Sequence, residues 1–234
     1  MRGDLRCALM TASSRRSFGL VLLVCAAGCA APTPAVTGSR AWSFDDVAAG
    51  TLPAGFAVDA TRRVGPLATW EVAVSSGAPS SPQALSLSYP NHRSYDSFNL
   101  CWNRGVAFRD GVLSVKVCAR SGKEDQGGGL LWRAQGPDDY YVARLNPLES
   151  NLRLYHVVGG NRTMLASADC TAQVGQWHEL RVEHRGDTIR CAVDGVQKIE
   201  VTDATLGKAG GIGLWTKADA ATDFDDLRLE GEAR

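Results

Sequence analysis

The run Gly210–Leu229, GGIGLWTKADAATDFDDLRL, constrains the fold of this chain more than any other stretch. It reads as two strands joined by a polar turn. Side chains along a strand alternate between faces, so Ile212 and Leu214 share one face while Gly213, Trp215 and Lys217 share the other. Leu227 and Leu229 repeat the pattern on the second strand. A core-facing aliphatic row backed by a tryptophan and a lysine predicts a sheet with a ligand surface on its far side. An isolated two-strand unit cannot hold such a surface in water, so the rest of the chain must supply further strands.

It does so at short, regular intervals. Val112–Val117, Leu152–Val158, Leu180–His184, Ile189–Val193 and Val196–Val201 all alternate, and Trp70–Val74 and Leu85–Leu87 carry shorter strand signals. Asp110-Gly111, Gly159-Gly160, Gly186-Asp187 and Asp194-Gly195 lie between apolar runs and read as hairpin turns. No segment carries an amphipathic helix of three turns, and there is no repeat or heptad pattern. Trp42-Ser43-Phe44-Asp45 mirrors Asp223-Phe224-Asp225, which predicts that the first and last strands pair. The Gly-, Ala-, Ser- and Pro-rich stretch 53–95 is expected to run as loops and edge strands. The pattern predicts one all-β domain, a sandwich or a barrel.

The beginning of the chain reads differently. Arg15 and Arg16 precede the apolar run Phe18–Ala27, which closes on Gly28-Cys29. A basic region, a short apolar region and small residues mark a signal peptide, too short to be a permanent span. Ala26-Ala27-Gly28-Cys29 resembles a bacterial lipobox, with Cys29 the lipidated first mature residue. Residues 1–29 are therefore expected to be a lipoprotein signal, 30–40 a flexible tether, and 41–234 the folded domain. Ser14-Arg15-Arg16-Ser17-Phe18 also resembles a twin-arginine signal, so export by the Sec or the twin-arginine route is open, with Met1 or Met10 as the start. The expected location is the cell envelope, with a lipid anchor as the sole membrane attachment of a monomer.

The chain of 234 residues carries no formal net charge, and the signal region holds four arginines against one aspartate, so the remainder is slightly acidic. Nucleic acid is excluded as a partner by the missing basic footprint. Cys101, Cys118, Cys170 and Cys191 are an even number in an exported domain and read as disulfide candidates, with Cys101 and Cys118 flanking the Asp110-Gly111 turn as a cross-strand pair. Asp45, Asp46, Asp225 and Asp226 could hold a structural calcium where the terminal strands meet. His178 and His184 lie six apart in an alternating segment, about 20 Å in a strand, too far to share a metal.

A second block, Glu124–Asn151, carries the polar chemistry. Gly127–Gly129 permit close backbone approach. On the strand after Gly136–Asp139, Tyr141, Ala143 and Leu145 should face the core, leaving Tyr140, Arg144 and Asn146 outward; on the next, Leu152 and Leu154 face in and Arg153 and Tyr155 out. Together with Trp215 and Lys217 this gives aromatic rings, arginines and an amide on one sheet face, a mixture suited to carbohydrate. The ordered set Gln126-Gly-Gly-Gly, Trp132-Arg133, Tyr140-Tyr141, Arg144, Asn146-Pro147 and Gly213-Leu-Trp-Thr-Lys-Ala-Asp219 resembles the 3-keto-disaccharide hydrolase family. That family is a branch of the concanavalin A-like lectin and glucanase fold. The resemblance implies a concanavalin A-like jelly roll in an exported protein, with some members acting on sugars oxidised at C3. It implies a sandwich of two antiparallel sheets and marks Trp132, Arg133, Tyr140, Arg144, Asn146, Trp215, Lys217 and Asp219 as expected substrate-binding residues, to which the outward positions Arg153 and Tyr155 are added by their strand face.

An ordinary glycosidase needs two carboxylates about 5 Å or about 6.5–9.5 Å apart, and no E-x-D-x-E-type strand motif supplies them. Glu124, Asp125 and Glu149 are the loop carboxylates left to act as acid or base. Three functions compete: a glycan-interacting domain that hydrolyses modified glycosides, a non-catalytic lectin-like module, and an envelope protein-interaction domain.

Overall fold

The computed structural model describes residues 37–90 and 98–233. Cys29 and the expected signal peptide lie outside them. Among the described residues there is no helix, and none of them forms a membrane-length apolar helix. The strands are β1 (Thr37–Trp42), β2 (Phe56–Thr61), β3 (Thr69–Val74), β4 (Gln83–Tyr89), β5 (Phe98–Ser121), β6 (Gly128–Gly136), β7 (Asp139–Asn146), β8 (Asn151–Val158), β9 (Asn161–Asp169), β10 (Trp177–Arg185), β11 (Thr188–Val193), β12 (Val196–Thr202), β13 (Gly210–Lys217) and β14 (Ala221–Ala233).

All pairings are antiparallel, and β5 organises them. Its first part, Phe98–Asn103, lies between β2 and β13, and the order β2-β5-β13-β6-β7-β8-β9 makes sheet I. Its second part, Gly111–Cys118, lies between β14 and β10, and the order β3-β4-β14-β5-β10-β11-β12 makes sheet II, with β1 continuing the β4 edge along β14. One core fills the space between them: Leu130, Trp132, Tyr141, Leu152 and Ile212 from sheet I meet Leu113, Val115, Leu180, Val182, Ile189 and Phe224 from sheet II. This is the jelly-roll sandwich that the family resemblance implies.

The two sheets bury their strands differently. β11 alternates between buried and half-buried positions, as expected of a strand with one wet face. β13 is buried at every position. Its Trp215 belongs to a second cluster with Phe98, Leu100, Trp102, Leu131, Tyr140, Val142, Tyr155 and Val157, on the face of sheet I that points away from the sandwich interior.

Three expectations need correction. Asp110-Gly111 is not a hairpin. Gly111 takes a left-handed φ of 147°, and a Cβ there would stand 2.3 Å from the Glu230 carbonyl of its partner strand. The glycine serves a close strand crossing and a bend, and the residues on either side find partners in other strands rather than in each other. Consequently Cys101 and Cys118 lie on one strand, Cys101 in the part that pairs with β13 and Cys118 in the part that pairs with β10 and β14, and they form no disulfide. All four cysteines of the domain are buried free thiols, and burial holds the Cys191 thiol at a pKa near 12. Finally, the expected tether is shorter than 30–40, because Thr37–Arg40 already pair with β14, from Thr37 opposite Glu232 to Arg40 opposite Leu229.

Candidate functional site

Register places the polar residues of sheet I in rows across its outer face. Trp215 stands opposite Gly129, Gly129 opposite Arg144, and Arg144 opposite Arg153. Cross-strand neighbours share a face, so these side chains converge. Gly129 leaves a gap between the tryptophan and the arginines, and its own pairing is tight: a Cβ would meet the Ala143 carbonyl at 1.9 Å. The glycine run thus serves backbone packing between β6 and β7. Toward the end of the sheet, Asn146 faces Asn151, and two loops add carboxylates: Asp125 from the β5–β6 connection and Glu149 from the β7–β8 hairpin.

Arg144 joins them. Its Nη1 donates to Asp125 Oδ2 at 3.0 Å, and its Nη2 donates to Glu149 Oε2 at 2.9 Å and to Asn151 Oδ1 at 3.0 Å. Asn146 Nδ2 donates to Asp125 Oδ1 at 2.9 Å, Arg153 Nη1 lies 2.6 Å from Glu149 Oε2, and Lys217 Nζ lies 3.9 Å from Asp125 Oδ2. Arg144, Asn146 and Asp125 are each no more than 1% exposed. The carboxyls sit in different environments. Burial pushes Asp125 above the usual carboxylate range, against the pull of Arg144 and Lys217. Burial also acts to raise Glu149, but hydrogen bonds from Arg144 and Asn151 and the nearby Arg153 charge outweigh it and hold Glu149 below that range. A pair of carboxyls driven apart in this way can hold one proton donor beside one anion.

The aromatic residues lie alongside. Trp215 Nε1 donates to the Tyr140 hydroxyl at 3.1 Å, which is also 2.7 Å from the Thr61 hydroxyl. The Arg162 guanidinium lies over three rings, 4.4 Å from Tyr155, 4.8 Å from Phe98 and 5.9 Å from Trp215. Trp215 is therefore no open platform; it is fully buried, with a cation above it.

The structure brings together Asp125, Tyr140, Arg144, Asn146, Glu149, Arg153, Tyr155, Trp215 and Lys217, the strand residues among them on the face that period-two reading gives them and the two carboxylates from loops. It separates the others. Trp132 points into the sandwich core and donates from Nε1 to His184 Nδ1 at 2.9 Å. Arg133, at a bulge with φ 50°, donates to the carbonyls of Arg109, Leu206 and Gly186 and pairs with Asp110, so it pins loops and stands apart from Arg144. Glu124 is exposed. Asp219 accepts the backbone N–H groups of Lys123, Glu124 and Asp125 at 2.6, 2.9 and 3.0 Å, and so fixes the loop that presents Asp125. Asp45 accepts from the Gln83 N–H, and Asp225 from the N–H and hydroxyl of Ser80. Among the described residues no cluster of three acidic, histidine or cysteine side chains is arranged to hold a metal.

Sequence reading misses Asn151, which shares the face of Arg153 by the same period-two rule. It also misses Arg162, which follows from the Gly159-Gly160 turn: pairing across that hairpin sets Arg162 opposite Val157.

Fold and face together define a concanavalin A-like jelly roll. The model of the 3-keto-alpha-glucoside-1,2-lyase-like domain matches residues 69–230, and the chain belongs to that family. Among solved structures, the carbohydrate binding module CBM66 from Bacillus subtilis is similar with a TM-score of 0.59 and 17% identity, over 75% of this chain and 96% of that one. The Bacillus licheniformis β-glucanase superposes with a TM-score of 0.53 and 14% identity, over 84% of this chain and 100% of that one. The exoplasmic/lumenal domain of VIP36, in a Ca2+/Man-bound form, gives 0.54 and 16%, over 82% and 89%. At these identities the likeness is one of fold. No curated protein matches the chain.

Proposed function

We propose that this chain is a glycan-directed jelly-roll domain, exported and anchored through Cys29, whose outer face on sheet I receives a saccharide. One observation carries the reading: an arginine–carboxylate–amide network is buried beside aromatic rings on a sheet face outside the main core. Burying a carboxylate and two cations, as Asp125, Arg144 and Lys217 are buried, costs stability unless they are paired, and replacing such a group by apolar residues is often neutral or favourable. Its presence argues for a task beyond holding the fold. Guanidinium, amide and carboxylate groups fixed in place match the hydroxyls of a sugar, and the family and the neighbours' names point toward saccharides.

A second reading, turnover of glycosides oxidised at C3, is favoured by the divergent carboxyl environments. In that form Asp125 and Glu149, joined through Arg144, are the acid–base candidates. Glu124 has no part in it.

Glycan-array binding and 3-keto-glucoside turnover by the purified domain test both readings. Asp125→Asn, which keeps the shape of the side chain, is expected to abolish turnover while sugar binding persists. Binding and turnover both absent across a broad panel, with the protein shown folded, would favour the protein-partner function instead. For the anchor, Cys29→Ser is expected to move the protein from the membrane to the soluble fraction of a lipoprotein-competent bacterium; unchanged fractionation would refute it.

A further inference from the structure

The pairing on the outer face of sheet I is one-sided. Both oxygens of Asp125 are engaged, by Arg144, Asn146 and Lys217, and Glu149 Oε2 is engaged by Arg144, Asn151 and Arg153. Yet four side-chain atoms of this face are buried and have no hydrogen-bond partner among the described residues: Trp102 Nε1, Arg144 Nε, Arg153 Nε and Arg162 Nη1. All four are N–H donors. Arg144 is 1% and Trp102 5% exposed, so their missing partners cannot be bulk solvent. Unlike Arg144 and Arg153 on the same face, Arg162 makes no ion pair among the described residues. Aromatic faces alone hold its guanidinium, which is half-buried at the open side of the network.

Resting on the glycan reading above, we propose that this face takes an anionic saccharide, one that bears a carboxylate or sulfate, with Arg162 receiving the anion. A neutral sugar offers hydroxyls that donate as readily as they accept, and would meet a set of unfilled donors with only half of its capacity. An oxyanion accepts only, and each N–H···O⁻ bond is about twice as strong as its neutral counterpart. The rings beneath Arg162 keep its planar fork fixed, so little side-chain freedom is lost when the anion binds.

The test uses calorimetric titration of the full-length protein with three ligands of one β-1,4 backbone: cellotetraose, the tetramer of glucuronic acid, and 6-O-sulfated cellotetraose. An anionic member is expected to bind at least about tenfold tighter than cellotetraose at low ionic strength, with the advantage shrinking as salt is added. Whether the planar carboxylate or the tetrahedral sulfate binds tighter identifies the source of the charge. Arg162→Gln should erase the advantage, and Arg162→Lys should restore part of it, with thermal unfolding confirming that both variants fold. Equal or tighter binding of cellotetraose overturns the proposal and leaves the glycan reading standing, as does an anionic preference that survives Arg162→Gln. Absence of binding to these ligands and to the broad panel overturns both.

Discussion

His184 sits in the interior between the sheets, fully buried, accepting from Trp132 Nε1 and packed edge-on against Tyr141. Desolvation, reinforced by the Arg133 charge, lowers its pKa from 6.5 to about 4. The unfolded chain therefore binds a proton that the folded chain refuses between those two values. Stability from this group is complete above about pH 6.5 and falls as pH drops toward 4, by on the order of 3 kcal/mol. Urea unfolding from pH 7 to 4 should show that loss in the native protein and a smaller one in His184→Gln; parallel profiles would contradict it. At this scale the sequence is partly legible. Alternation alone sets Tyr140, Arg144, Arg153 and Trp215 on one face, because strand geometry fixes direction. It does not give the depth of that face, since burial depends on residues such as Arg162 that arrive from a distant edge strand. Nor does it show that Arg133 leaves its expected neighbours, because the bulge after Trp132 resets the register between β6 and β7.

The hairpin elements follow closely from their turn residues. Gly159-Gly160, Gly186-Asp187 and Asp194-Gly195 each close the turn that their sequences predict, between β8 and β9, β10 and β11, and β11 and β12. Asp110-Gly111 carries the same dipeptide signal and closes nothing, because partners for its flanks lie far along the chain in β13, β10 and β14. Local chemistry can propose a turn, but long-range pairing decides whether the chain reverses there. The glycines of β6 show the complementary limit. Gly129 looks like room for a ligand, but it is room for the Ala143 carbonyl. Gly129→Ala should therefore cost about 3 kcal/mol or more by forcing β6 and β7 apart, whereas Gly136→Ala, with nothing within 4 Å of its added carbon, should change stability by less than about 0.5 kcal/mol. Equal effects in denaturant titrations would show that the pairing can yield and that the glycine has another purpose.

For the whole molecule, an all-β sandwich or barrel is legible from the spacing of strands and turns, and the first and last strands do pair, but through Thr37–Trp42 and Leu227–Glu232 rather than through the matching runs, since Asp223–Asp225 pairs with β4 and β5. The free thiols are not legible, because an even cysteine count says nothing about which strands lie together. The strand that carries most of the topology, β5, reads as two pieces when only its alternation is considered, and its continuity has a consequence for how the chain can be re-opened. Joining the natural ends with a linker and cutting at Gly186-Asp187 leaves every strand whole, and such a circular permutant should fold with a single unfolding transition. Cutting at Asp110-Gly111 looks equally harmless on paper. It would instead sever the one segment that serves as a central strand of both sheets, and that permutant is expected to be insoluble or to lose its cooperative melt. The chain can start almost anywhere, provided that it does not start in the middle of its own spine.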